Sequence, residues 1–189
     1  MHRRLAAFVL LLAWMSAAFA LEIEGVRLDD RVKVGSADLV LNGAGLRTRL
    51  GFRVYAAGLY LAQKTTDANA AVAAPGAKRV AMHMMRDVGA KSLIDAFNEG
   101  LEKNTPAAEL AKLKPQAAEF NAALEVIGEA KKGDVILIDF VPGTGTVLTV
   151  NGQVRGKPIA GDDFYRALLR IWLGERPVDG DLRKGMLGQ

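Results

Sequence analysis

The chain has 189 residues, of which half are hydrophobic and 6% aromatic, and it contains no cysteine. The absence of cysteine excludes disulfides and thiol chemistry. The formal charge is +4, and two of the arginines, Arg3 and Arg4, stand at the very start, so residues 21–189 carry +2. This weak charge, without interleaved basic and aromatic residues, argues against nucleic acid as a partner. The length suits one domain that is stabilised by burial alone.

The first twenty residues have the pattern of a cleavable signal peptide. A basic start at positions 2–4 precedes an uncharged apolar run over 5–15, which is shorter than the ~20 residues that span a bilayer core. The alternative, an uncleaved N-terminal anchor, is disfavoured because acidic residues follow at once. We therefore predict a signal peptide over 1–20, a single domain over 21–189, a periplasmic or secreted location and no stable membrane span after cleavage.

The first third of the domain is rich in strand patterns. Residues 21–34 alternate loosely in the manner of a strand and hairpin. A second strand over 38–53 is interrupted by the turn-prone sequence NGAG at 42–45. Residues 53–61 have the β-branched and aromatic content of a buried strand, and an Ala-rich stretch over 65–76 predicts a short helix and loop.

The middle of the chain reads as one strand and two helices. Residues 78–86 alternate as a strand does. Helical spacing follows, with Ser92 as a candidate cap and the sequence NTP at 104–106 as the end. A second helix is predicted over 107–124, kinked or divided by Pro115.

The last third returns to strands and ends in a helix. Strands are predicted over 135–141 and 146–150, followed by an Asn-Gly hairpin turn at 151–152. The final clear helix covers 162–173, with aspartates at its start and glycine after its end. This order predicts an α+β fold, with one antiparallel sheet and helices on one face.

Several chemical classes have little support. His83 is the one histidine after position 2, so a catalytic triad has a single possible base. Met82, His83 and Met84 are of the residue types that bind Cu(I). In a strand, however, His83 would point away from the face that Met82 and Met84 share, which favours core packing for the methionines. The GTG sequence at 143–145 lies between strands and indicates a turn, not a phosphate-binding loop. No metal site and no cofactor are predicted.

Two neighbouring segments are the most informative. They are residues 41–49, LNGAGLRTR, and residues 52–61, FRVYAAGLYL. Together they resemble the chalcone isomerase superfamily, in particular its bacterial chalcone isomerase-like branch. Residues 87–104, 159–174 and 182–188 agree with the same family in order, so the resemblance covers nearly the whole chain after the leader.

The resemblance implies an open-faced β-sandwich, a large antiparallel sheet with a layer of helices on one face and an apolar cleft between them. In the plant enzymes, a phenolate attacks an unsaturated ketone within the same molecule and closes a chalcone to a flavanone. Arg47 matches the motif arginine that holds the phenolate. Fatty-acid-binding relatives without catalytic activity use the same arginine for the carboxylate, so the arginine alone leaves both functions open.

The other family positions separate the two functions. Tyr55 stands where the plant enzymes have a threonine, and Lys91 stands where they have a tyrosine, whereas Asn98 matches the family asparagine. The resemblance thus implies a ligand site formed by Arg47, Tyr55, Lys91 and Asn98 with altered hydroxyl positions. A phenol at position 55 can still donate a hydrogen bond.

Three functions follow as hypotheses. The first is an exported protein that binds an apolar molecule with an anionic head, such as a fatty acid, anchored by Arg47. Export favours it because an exported relative has no evident supply of chalcone. The alternative is an isomerase, an intramolecular lyase with Arg47 and Tyr55 as catalytic groups. The third is an interaction module that would use an apolar stripe on the final helix, although such a stripe is more typical of a core: Phe164, Leu168, Ile171 and Trp172.

Overall fold

The computed structural model describes residues 20–189, which form eleven strands and five helices. The strands are β1 (Ala20–Ile23), β2 (Val26–Asp29), β3 (Arg31–Val34), β4 (Ala37–Arg49), β5 (Phe52–Leu61), β6 (Lys78–Met84), β7 (Val88–Gly89), β8 (Glu129–Ala130), β9 (Val135–Val141), β10 (Gly145–Val150) and β11 (Gln153–Ile159). The helices are α1 (Ala68–Ala73), α2 (Ala90–Asn104), α3 (Ala107–Ile127), α4 (Asp162–Leu173) and α5 (Gly180–Met186).

Seven strands form one antiparallel sheet in the order β11-β10-β9-β6-β5-β4-β3. Two further pairs, β1–β2 and β7–β8, are separate ladders. Helices α2, α3 and α4 pack together, and their apolar faces join the same core as one face of the large sheet. This confirms the predicted α+β class and the open-faced arrangement of sheet and helices.

Helix α4 is at the centre of the larger core. Its acidic first turn and the glycine that follows it set the predicted bounds, which the structure confirms. Phe164 and Leu168 are fully buried, and Ile171 and Trp172 nearly so. The apolar stripe on this helix is therefore core, as its spacing favoured.

The opposite face of the sheet is covered in part by the β1–β2 hairpin. Leu28 of β2 joins a second, smaller apolar cluster with Leu39 and Leu41 of β4 and Tyr60 of β5. Gly58 makes this possible, because a Cβ there would lie 3.2 Å from the Leu28 side chain.

The NGAG sequence is not a turn, and the prediction of an interruption there is wrong. Strand β4 continues through it, with a register shift between Leu41 and Gly43. The glycines allow α5 and the last residues to lie directly on the strand: a Cβ on Gly43 would come within 2.7 Å of the backbone nitrogen of Gly188. The chain instead turns at Leu50-Gly51, where both residues have positive φ.

Two details of the helices also differ from the predictions. Helix α2 begins at Ala90, directly after β7, so Ser92 lies in the first turn and is not the cap. Helix α3 continues past Pro115 as one helix over 107–127. It does so at the expense of one backbone hydrogen bond, because proline has no N–H.

The predicted signal peptide lies outside the described residues, except for Ala20. Ala20 is the first residue of β1 and pairs with Asp29. Within residues 20–189, no helix is long and apolar enough to cross a membrane.

Candidate ligand-binding cleft

A narrow apolar cleft lies between the sheet and the helix layer. Strands β5, β6, β9 and β10 form its floor, and helices α2, α3 and α4 form its roof. Almost all of its lining is apolar, and the cavity holds about 80 Å³. Its main contributors are Tyr55, Met82, Leu93, Phe97, Phe120 and Trp172.

The cleft has an identifiable mouth. Leu93 and Val178 are half buried and Ala96 is exposed, although all three line the cavity. The opening therefore lies between α2 and the segment that precedes α5.

The polar group inside the cleft is the hydroxyl of Tyr55. Trp172 Nε1–H donates a hydrogen bond of 3.0 Å to Tyr55 Oη, and both side chains are buried. Burial raises the pKa of Tyr55 to about 12, although Trp172 and Arg47 act in the opposite direction. Tyr55 thus stays a neutral phenol. Its own proton has no acceptor among the described residues, so the hydroxyl is a free donor in an apolar setting.

Arg47 lies beside Tyr55, because the two residues are paired directly across β4 and β5. Its side chain is 19% exposed. Nη1 donates a 3.0 Å hydrogen bond to the carbonyl of Thr48 and lies 3.6 Å from Asp179 Oδ2. A guanidinium has five N–H donors, and no other bond of this one occurs within residues 20–189. Most of its capacity to bind an anion is therefore unused.

Asp179 links strand β4 to helix α5 beside Arg47. Its Oδ1 accepts hydrogen bonds from the backbone N–H groups of Asp181 and Leu182 and caps α5, while its Oδ2 accepts one from Thr48 N–H. Burial alone would raise the pKa of Asp179, but these backbone donors and Arg47 outweigh it and lower the pKa. The carboxylate therefore stays ionised and partly neutralises Arg47.

A family model described as chalcone isomerase-like matches residues 20–188. The chain belongs to the chalcone isomerase-like family. Among solved structures, the crystal structure of an Arabidopsis thaliana fatty-acid binding protein is similar to this family member, with a TM-score of 0.69. The match covers 89% of this chain and 96% of that one at 17% identity, which shows a shared fold. No curated protein sequence matches the chain.

The structure brings together two of the four predicted site residues of this chalcone isomerase-like protein. Arg47 and Tyr55 are cross-strand neighbours, and of the four only Tyr55 lines the cleft, with Arg47 beside it outside the lining. Lys91 is 87% exposed and pairs with Asp95 at 2.7 Å on the surface of α2. Asn98 Oδ1 accepts a 3.1 Å hydrogen bond from Asn121 and links α2 to α3. Neither Lys91 nor Asn98 lines the cleft.

Sequence reasoning missed the roles of Trp172 and Asp179 in this site. Trp172 was visible as part of an apolar stripe, but nothing in the stripe indicates that its indole N–H meets Tyr55. Asp179 precedes Gly180-Asp181 and has the residue type of a helix cap, which was a usable signal. Its third hydrogen bond, which it accepts from Thr48 N–H, depends on a contact across 131 positions.

The other candidate ligands do not form a metal site. Met82 and Met84 are buried in the larger core, whereas His83 faces the opposite side of the sheet and is half buried. Burial lowers the pKa of His83, and Asp29 raises it by a smaller amount. Across the part of the chain that the structure describes, no three His, Asp or Glu side chains group together as metal ligands.

A second, larger concavity of about 770 Å³ is polar. It lies among α1, the α2–α3 connection and the segment between α4 and α5. Its basic groups are largely engaged: Arg170 pairs with Glu109 at 2.9 Å, and Arg183 donates to the carbonyl of Leu173. The narrow cleft, with the free Tyr55 hydroxyl in its apolar wall and Arg47 beside it, is the better candidate site.

Proposed function

We propose that this protein binds an apolar molecule with an anionic head, such as a fatty acid, in the cleft between sheet and helices. The observation that carries the proposal is the cross-strand pairing of Tyr55, whose unused O–H lies in the wall of the apolar cavity, with Arg47, whose unused N–H groups lie beside that wall. The fatty-acid binding protein of the same fold gives independent support for this ligand class.

The chemistry of the two donors suits a carboxylate. A guanidinium presents a planar fork that matches both oxygens of a carboxylate. The Tyr55 phenol adds a neutral donor that does not ionise near pH 7. In an apolar setting such bonds to a charged head contribute about 1.5–3 kcal/mol each.

The cleft must widen to accept such a ligand. Its 80 Å³ is well below the ~300 Å³ at which small-molecule pockets begin. Helix α2 is the element best placed to move, because Leu93 and Phe97 form part of the roof and the mouth of the cleft lies beside this helix. Ligand binding is therefore expected to displace α2 from the sheet.

Titration of delipidated protein with palmitate, by calorimetry and native mass spectrometry, tests the proposal. Arg47→Gln should weaken binding about tenfold or more. Arg31→Gln, at an exposed arginine on β3, is the matched control and should bind as the parent does. Hexadecanol, which has the same tail and no charge, should bind both variants equally. No palmitate uptake, or equal uptake by the parent and Arg47→Gln, would contradict the proposal.

A second candidate, isomerase activity, is favoured by the same free proton on Tyr55. A buried phenol that is not ionised can polarise a ketone oxygen, while Arg47 holds a phenolate. Incubation with a chalcone, followed by its conjugated absorbance, tests this idea. A rate equal to the uncatalysed closure removes it for that substrate.

The location proposed for this binding activity is outside the cytoplasm. It is supported by the basic, apolar and small-residue order of the leader. Expression of the full chain in a bacterial host, followed by fractionation and intact-mass measurement, should yield a periplasmic species that begins at Leu21. A cytoplasmic species that retains Met1 would refute it.

A further inference from the structure

The turn between β4 and β5 carries the most exposed large apolar side chain in the described part of the chain. Leu50 is 89% exposed and Phe52 is 63% exposed. We refer to residues 49–53 as the hairpin tip. Single exposed apolar residues are common, but two at one tight turn form a small apolar projection into solvent.

The fold does not require a leucine there. Leu50 has φ +50° and Gly51 has φ +79°, a combination that favours Asn-Gly because a side chain with a bulky Cβ substituent is strained at positive φ. The chain uses Asn151-Gly152 at +51° and +79° in its other long hairpin. Leucine at this position thus opposes both backbone preference and solubility, which indicates a role outside folding.

Positive charges surround the apolar projection. The guanidinium of Arg86 lies 5.2 Å from the Phe52 ring centroid, and Arg49 and Arg53 flank the turn. Arg53 pairs with Glu24 at 2.8 Å. Arg49 makes no ion pair within residues 20–189, although Glu99 of α2 is near enough to feel its charge. Two of the three arginines therefore remain available to an anionic partner.

We propose that the hairpin tip docks the protein on an anionic lipid surface. Leu50 and Phe52 would enter the interfacial layer, and Arg49 and Arg86 would contact the acidic headgroups. A lipid surface fits better than a protein partner because the exposed apolar surface of the tip comes from only two side chains. A specific protein interface buries about 800 Å² on each side, which the tip alone does not offer.

The docked orientation would also serve the cleft. Phe52 precedes Tyr55 by three residues of one strand, about 10 Å at the usual rise. Arg47 and Tyr55 therefore lie at the end of the sheet that would face the membrane. The docking proposal does not depend on the ligand proposal, since it rests on exposure, backbone conformation and charge at the tip.

Binding to vesicles tests the proposal. Residues 21–189, the species proposed to exist after export, are sedimented with vesicles of phosphatidylcholine, alone or mixed with phosphatidylglycerol, so that the apolar leader does not contribute to binding. Leu50→Asn combined with Phe52→Thr should weaken binding to the anionic vesicles about tenfold or more. Val126→Thr combined with Val154→Thr removes two exposed apolar side chains from other elements and should bind as the parent does.

Two further measurements separate docking from instability and from charge alone. Leu50→Asn should raise the unfolding midpoint, because asparagine suits the turn, so weaker binding by this variant would not reflect unfolding. Arg49→Gln combined with Arg86→Gln should remove the preference for anionic over neutral vesicles.

Equal binding by the parent and the Leu50→Asn/Phe52→Thr variant would overturn the proposal. So would absence of vesicle binding by the parent, or self-association that the tip substitutions abolish without any vesicle binding.

Discussion

Replacing Tyr55 by phenylalanine removes one oxygen from the core and leaves a buried donor without a partner. Trp172 Nε1–H donates to that oxygen at 3.0 Å, and both residues are less than a tenth exposed. The phenyl ring keeps the packed volume, so no cavity cost is added. The loss is the desolvation of an unpaired indole N–H, about 1–3 kcal/mol in the free energy of unfolding.

Urea denaturation followed by circular dichroism measures this difference, with Tyr60→Phe as the matched control. Tyr60 is on the same strand and is also less than a tenth exposed, in the smaller apolar cluster, but its hydroxyl makes no hydrogen bond within residues 20–189. Its substitution should therefore change stability by less than about 0.5 kcal/mol. A double-mutant cycle with Trp172→Phe should give a coupling energy of about 0.5–1.5 kcal/mol. Equal losses for Tyr55→Phe and Tyr60→Phe, with no coupling, would refute the reasoning.

Three other substitutions test separate parts of the structure. Gly43→Ala places a Cβ 2.7 Å from the backbone nitrogen of Gly188 and should lower the free energy of unfolding, measured by urea denaturation, by about 1–3 kcal/mol. Gly58→Ala is the control: its Cβ would meet the flexible ends of two leucine side chains at 3.1 and 3.2 Å, so the free energy of unfolding should fall by less. Asp179→Asn keeps a residue that can cap α5 but removes the negative charge 3.6 Å from Arg47. Palmitate should therefore bind up to about fivefold more tightly in the calorimetric titration. Weaker binding would contradict the partial neutralisation of Arg47 by Asp179. Burial lowers the pKa of His83 below its ordinary 6.5, so on acidification the unfolded chain binds the proton before the folded chain does. The free energy of unfolding therefore has its full value above pH 6.5 and falls as the pH drops below it. His83→Gln should make the urea midpoint less dependent on pH between pH 7 and pH 5.

The regular elements with strong local signals could be predicted from sequence. Helix α4 has acidic residues at its start, an apolar stripe and a glycine after its end, and the structure gives the predicted bounds. The turn at Asn151-Gly152 was likewise predictable, because these two residue types favour the positive φ angles that the turn has. In both cases the information lies within one element, where propensity and capping operate.

The β4–β5 hairpin shows why local signals fail elsewhere. Glycine at 43 and 45 resembles turn chemistry, yet its purpose is close contact with α5, about 140 residues away. The real turn at Leu50-Gly51 was hidden by a leucine that turn statistics disfavour. Tertiary contact explains the first error, and a residue that the fold does not need explains the second.

The candidate site was predicted in part. Arg47 and Tyr55 came from a family resemblance, and their juxtaposition follows from the register of β4 on β5. Lys91 and Asn98 were assigned by position alone, and helix orientation places Lys91 in solvent and Asn98 against α3. A one-residue change in helix phase moves a side chain by about 100°, so position in the sequence alone does not fix which face of α2 each residue occupies.

The contact between β4 and α5 limits when this protein can complete its folding during synthesis. Asn42 donates to the carbonyl of Met186, 144 positions later, and α5 supplies the cover for the glycines of β4. At ribosomal speeds of about 5–20 residues per second, roughly 7–30 s separate the synthesis of these two partners. During that interval β4 of the nascent chain lacks the cover of α5, and Arg47 lacks its partner Asp179. The contact between β4 and α5 can therefore form only after residues 180–186 have been made.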